Sequence, residues 1–593
     1  MFNVFFIISH FCIHDSAENL IPQLEMLKTR TSSDISSYKW ENIRIKFDFD
    51  NLYEDANDSL LCKQEDQYIT WNQGTFRCFQ GDLLTESKRK ALIGTFNFVK
   101  LWLENTFKVR RIYNSPFSLS QWSDDYGKIR ETQAADTDLY ISIFVRPYGA
   151  SSTAAVSTIK QLEFPSYRPN QGGIFFNAFE IPDEPVNITT WKNGFFYLCL
   201  HEVVHLLGFS YSRFGDYHPI NDFTKFNETL CSFTKLGKNF TFLVTPYAHK
   251  FAVKRYNQKI FTGDNGATCP SGIELENDGS SISKFNHLET RVYMTDIMMS
   301  QQIGGHNRFL RFTDATAAVL LDTGNYKIDF KQIQPILWGN KDTISDKSYI
   351  DDFATGPPQL KFPDLYLLKG NSNDQCGFDY KFYGLASETT APDCKYQYDP
   401  VTKKYCEGIQ FYNPLNEKTV VDNTFNDFQR FKLPIEVCPE GYATLPLIGR
   451  CLKADFIDES TLNFSTESFS FQCKSDANPD KINYIYTYKY KCPNFERFVR
   501  TLILYDCFFK SDPFSSPVPS YFMKSTINSS TVDFTPYPTL SNVERNIYPI
   551  FIAICVVLSL LIVSLIIVVV VLARRYYKKH KLRSSGDISD LSD

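Results

Sequence analysis

Residues 200–209 read Leu-His-Glu-Val-Val-His-Leu-Leu-Gly-Phe, and no other stretch restricts the chain as tightly. The residues around the two histidines are apolar (Phe195, Phe196, Leu198, Leu200, Val203, Val204, Leu206, Leu207), which predicts a helix buried over most of its circumference. On a helix His201 and His205 are i and i+4, so both imidazoles leave one face and reach a common point. A polar helix face, or two core histidines satisfied by hydrogen bonds, would use the same residue types. In so apolar a helix, an uncompensated His-Glu-His cluster is costly to bury, and a divalent cation relieves that cost. Zinc suits the donor set, with neutral imidazoles as ligands and the Glu202 carboxylate beside them as proton acceptor for a water. Gly208 then offers a place for the helix to end and the chain to turn back.

A catalytic zinc needs a third protein ligand, with the fourth position left open. In the compact metzincin spacing a third histidine follows six residues after the second, but that position is Tyr211 here. Downstream of the helix and before the C-terminal apolar run, His218, His249, His287 and His306 are left, and any of them could equally be a surface residue. His287 opens a segment, residues 287–300, that holds Met294, Met298 and Met299 in a chain with only 6 methionines.

That arrangement resembles the leishmanolysin-type surface metalloproteases. They share an H-E-x-x-H-x-x-G-F run, a long insertion, and a distant third histidine followed eleven residues later by the methionine of a Met-turn, here Met298. The stretch Lys88–Arg111, with Lys108-Val109-Arg110, is similar to the first long helix of that fold. Asp136–Ile143 is similar to its sheet strand ahead of the active helix, and Leu310–Gly324 with Tyr326-Lys327 and Trp338-Gly339 to its closing helix and exit. The likeness covers most of residues 38–345. It implies an α+β, metzincin-type catalytic domain with a subdomain inserted between the second and third histidines. It further implies one catalytic Zn2+ on His201, His205 and His287, Glu202 as the base, Met298 under the metal, and protein or peptide substrates. Near the N-terminus, His10-Phe11-Cys12-Ile13-His14-Asp15 resembles the family's propeptide motif, in which the cysteine acts as a switch. A thiolate is a strong zinc ligand, so Cys12 could fill the open position; its competing reading is the end of a signal peptide. Cleavage would then fall between His14 and Trp40, with Lys28 and Arg30 as candidate sites.

Two rivals compete with this reading. A thermolysin-like peptidase with an acidic third ligand explains the helix but not the spacing from His287 to Met298. A catalytically silent surface adhesin or receptor on the same fold suits the rest of the chain, though it has no need of Glu202 or Cys12, and cell adhesion could also coexist with proteolysis.

Where the chain works is read from its ends and its cysteines. Ile550–Ala573 is an uncharged apolar run long enough to span a bilayer, and Arg574, Arg575, Lys578, Lys579, Lys581 and Arg583 follow it. This predicts a single-pass plasma-membrane protein with its catalytic part outside, although the leading apolar run Val4–Ile8 is a weak export signal. Sequons at Asn57, Asn187, Asn227, Asn239, Asn463 and Asn528 agree with export, as do thirteen cysteines outside Cys12 and Cys555. Cys62 with Cys78 and Cys231 with Cys269 are plausible local pairs, and Cys199 is expected to be a buried free thiol. Eight cysteines (Cys376, Cys394, Cys406, Cys438, Cys451, Cys473, Cys492, Cys507) predict a stapled, loop-rich domain whose connectivity stays open. The net charge of −5, without a basic stripe, argues against a nucleic-acid partner; nothing specifies an oligomeric state. The expected divisions are therefore 1–37 (signal or propeptide), 38–210 and 211–345 (catalytic), 346–510 (cysteine-rich), 511–548 (stalk), 549–573 (membrane helix) and 574–593 (cytoplasmic tail).

Overall fold

Alternating apolar residues build a five-stranded sheet with both faces covered. After an edge strand, Glu25–Lys28, its members in chain order are β1 (Ile45–Asp48), β2 (Leu139–Arg146), β3 (Ala155–Phe164) and β4 (Arg168–Asn177). In space the order is Glu25–Lys28, β3, β4, β2, β1. β1, β2 and β4 are parallel, β3 runs antiparallel to β4, and Glu25–Lys28 lies parallel to β3. The computed structural model describes residues 10–11, 25–28, 38–53, 58–111, 116–149, 153–184, 194–235, 238–277, 284–299, 301–302, 310–356, 361–363, 365–366, 376–384, 432 and 436–516.

β2 shows how the sheet is sandwiched. Leu139, Ile141, Ile143 and Val145 join the main core, while Tyr140 and Phe144 belong to a second, aromatic cluster with Trp71, Trp122 and Phe175. The strand begins at Leu139, three residues later than its sequence pattern suggests. Asp136 has a left-handed backbone (φ 48°), and the Asp138 carboxylate accepts hydrogen bonds from Arg44 N (2.9 Å) and Nε (3.0 Å), so this segment turns before it pairs.

The long helix α1 (Glu86–Thr106) starts at Thr85, whose hydroxyl accepts from Lys88 N. It presents Leu92, Phe96, Val99 and Leu103 to the core. It stops short of Arg111 because Phe107 and Val109 alternate inward in a strand, Phe107–Arg110, paired with Trp40–Asn42 and Lys327–Ile328. The helix carrying the histidines, α2 (Gly194–Leu206), is buried at every position from Phe196 onward. It packs close to the sheet because Gly172 on β4 has no side chain: a Cβ there would stand 2.8 Å from Leu206 Cδ2.

The insertion after α2 contains a hairpin, Leu230–Lys235 with Lys238–Leu243, and the helix α3 (Pro246–Tyr256). Asp322, the last residue of α4 (Asp314–Asp322), caps α3 from outside by accepting from Thr245 Oγ1, Tyr247 N and Ala248 N. Burial outweighs these bonds and pushes its carboxyl up to about 7. Both expected local disulfides form, Cys62–Cys78 and Cys231–Cys269. Sequence separations of 16 and 38 residues make them worth about 3 and about 4 kcal/mol by loop entropy.

The C-terminal part is more regular than a stapled loop. Tyr442–Ala443, Leu452–Asp458, Thr461–Ser465 and Ser470–Lys474 make an antiparallel sheet, and Ile482–Ile485 with Tyr488–Lys491 a hairpin. Disulfides join Cys438 to Cys451 and Cys473 to Cys492, while Cys507 is free and Cys394 and Cys406 lie outside the described residues. Helix α5 (Phe495–Tyr505) ties this sheet to the catalytic part: Arg497 donates to the Thr343 and Phe378 carbonyls, and Arg500 to those of Asp342 and Ile344. At its end, the Tyr505 carbonyl accepts from Arg311 Nη1 (3.1 Å) and Gln334 Nε2 (3.2 Å). Among the described residues no helix is long and apolar enough to cross a membrane; Ile550–Ala573 lies outside them.

Candidate metal centre

α2 ends in the turn that positions its own second histidine. Gly208 takes φ +111°, its N–H donates to the His205 carbonyl, and Phe209 N donates to the Val204 carbonyl. This is a Schellman closure, and the backbone it needs favours glycine. It swings the Phe209 carbonyl back over the helix, where His205 Nδ1 donates to it at 2.7 Å. His201 Nδ1 donates to the Ile297 carbonyl at 2.6 Å. A carbonyl can only accept, so both Nδ1 atoms carry the proton and both Nε2 atoms carry a lone pair.

These two Nε2 atoms face each other at 3.1 Å. Between neutral rings with this protonation the contact cannot be a hydrogen bond, and two opposed lone pairs repel. A cation shared between them removes the repulsion: tetrahedral zinc with Zn–N near 2.0–2.1 Å sets its nitrogens about 3.3 Å apart. His287 completes the group. Its ring centre is 5.4 Å from that of His201 and 5.1 Å from that of His205, and ligand atoms of the three histidines lie within 4.8 Å of one another. The three are buried, as is Glu202 on the same helix. The residues present therefore fit a zinc ion.

His287 arrives from 82 positions beyond His205 by backbone pairing at both ends of its segment. Its carbonyl accepts from Glu276 N (2.9 Å), and Leu288 N donates to the Met298 carbonyl (2.8 Å). Asn286 Oδ1 accepts from Tyr211 N at 2.7 Å, so the residue occupying the compact third-ligand position instead pins the chain beside the distant one. Met298 is buried, and its backbone is the edge against which the His287 segment rests.

Among the described residues, His218 and His249 do not join this group. His218 contacts the carbonyls of Pro219 and Ser166, His249 that of Ser271, and burial lowers the pKa of both; His306 lies outside the described residues. Cys199 is a buried free thiol, raised well above its ordinary pKa by burial and then by the Glu202 carboxylate, as expected of an inert core cysteine. Cys12 is outside the described residues, but His10–Phe11 immediately before it pair antiparallel with Gln301–Gln302, three residues past Met298. Of the sequons, Asn227 and Asn239 are exposed and Asn463 is half-buried within its sheet, whereas Asn57, Asn187 and Asn528 are not described. Sequence reading missed the Ile297 and Phe209 carbonyls and Asn286. A backbone carbonyl leaves no residue signature.

No curated protein matches the chain. The leishmanolysin family profile matches residues 13–416, a span that holds α2, His287 and Met298. With more than half its length matched and three histidines gathered as a metal site requires, the chain belongs to the leishmanolysin family of zinc metalloproteases, whose substrates are proteins.

Proposed function

We propose that this protein is a cell-surface zinc endopeptidase made as a latent precursor, with zinc on His201, His205 and His287 and Glu202 as its general base. The convergence of three buried histidines beside a buried carboxylate carries the reading. Zinc, when bound, supplies Lewis acidity that polarises the scissile carbonyl and acidifies a water. Glu202 takes the proton of the attacking water and returns it to the departing amine. His201 and His205 keep their Nδ1 protons on the Ile297 and Phe209 carbonyls, which leaves Nε2 of each ring as the ligand. Met298 anchors the turn behind the third histidine, and Gly208 permits the return of Phe209.

The test is digestion of a peptide library by the full chain, after removal of the prosegment. Internal cleavages that stop on chelation are expected; an intact library would instead favour the silent adhesin.

Latency is assigned to Cys12, supported by the pairing of His10–Phe11 next to the Met298 turn. Glu25–Lys28 occupies the outer edge of β3, so removing the prosegment also means unzipping that strand. A Cys12→Ser precursor is expected to cleave peptides before processing; a precursor as silent as wild type would contradict the switch.

Surface display rests on the apolar run Ile550–Ala573, its basic flank and the sequons. Asn227 and Asn239 are expected to carry glycans, read by peptide mapping as Asn-to-Asp conversion after enzymatic deglycosylation.

A further inference from the structure

Asp296 lies two residues before Met298 and has no part in the chemistry above. It is fully buried, and its carboxylate gathers donors from two segments: Oδ1 accepts from Met298 N (2.7 Å) and Thr316 Oγ1 (2.5 Å), and Oδ2 from Thr313 Oγ1. Thr313 caps α4 by accepting from Ala315 N, so its hydroxyl proton is left to point at Asp296. The carboxylate thus sits at the start of α4, where the helix dipole favours negative charge.

What Asp296 holds in place is the turn between two metal ligands. Ile297 N donates to the Arg311 carbonyl and Arg311 N to that of Thr295, which clamps the turn from the other side. Within it, the Ile297 carbonyl takes the His201 Nδ1 proton, and the Met298 carbonyl takes the N–H of Leu288, next to His287. We propose that Asp296 is a positioning residue for the metal site: braced by Thr313 and Thr316, it fixes the turn whose consecutive carbonyls orient His201 and seat His287. One side chain thereby sets ligands that are 86 positions apart in sequence. The inference rests on the reading of the three histidines as a zinc site.

Burial raises the Asp296 carboxyl to about 6 against the pull of its donors, which marks a charge retained in the core at a cost. Asp322 is the matched comparison. It is equally buried and likewise accepts hydrogen bonds from side-chain and backbone donors, but it caps α3.

The experiment measures zinc affinity by chelator competition and the visible spectrum of the cobalt-substituted protein, on the full chain. Asp296→Ala is expected to weaken zinc by about 10–100-fold, the usual loss for a partner one step from the metal, and to alter the cobalt bands. Asp296→Asn keeps an oxygen for Met298 N and is expected to recover most of the affinity. Asp322→Ala is expected to lower the melting temperature without moving either metal readout. Should Asp296→Ala fail to fold, Thr316→Val decides, with a several-fold loss expected. Wild-type affinity and spectrum in Asp296→Ala, or in Thr316→Val where that variant decides, would overturn the proposal, as would an equal loss in Asp322→Ala. A wild-type protein that binds no zinc would overturn the metal reading beneath it, so the two failures are distinguishable.

Discussion

Glu202→Ala is expected to retain zinc and lose peptide hydrolysis, with kcat falling by roughly 10³-fold, the middle of the range for general acid–base catalysis. Glu202 is buried on α2 beside His201, so its removal leaves the ligand set and both Nδ1 contacts untouched. Substrate binding does not use the proton, so KM should move far less than kcat. Glu202→Gln, closer in shape, should be as inactive, because an amide cannot accept the water's proton. A Glu202→Ala enzyme that cleaves as fast as wild type would remove the carboxylate from the mechanism.

His287→Ala is expected to release the metal altogether. Two imidazoles on one helix remain, and the loss should exceed the about 10–100-fold that outer contacts alone cause. The comparison with His218→Ala and His249→Ala is the informative one. Those rings are buried too, but they bond to carbonyls away from the group, so their removal should lower the unfolding midpoint and leave zinc content at wild-type level. Metal loss in all three variants would point to general destabilisation rather than ligation.

Much of the site was readable because it is local. Two histidines four residues apart on a helix, and a glycine two residues past the helix end, are properties of a ten-residue window. The same locality let the Cys62–Cys78 and Cys231–Cys269 pairs be anticipated. The remainder is long-range or main-chain. Spacing alone left four histidines open as the third ligand, and the choice of His287 came from family resemblance. Its physical cause, the pairing of residues 287–288 with Glu276 and Met298, is set by the folded insertion. The Asp296 hub was hidden for the same reason, since Thr313 and Thr316 reach it from the start of α4. Element ends shifted where side chains competed with the backbone, as with Asp138 before β2 or Phe107 after α1. The cysteine-rich part looked irregular because its strands are short, yet four of them pair in one sheet.

The most direct test follows metal and activity together in the mature chain. Zinc content and peptide-library cleavage are measured as purified, after chelation, and after zinc is added back. One zinc per chain is predicted, with cleavage that disappears on its removal and returns on its restoration. Cleavage that survives complete removal of the metal, or a stoichiometric zinc that supports no cleavage with the prosegment gone, would contradict the account.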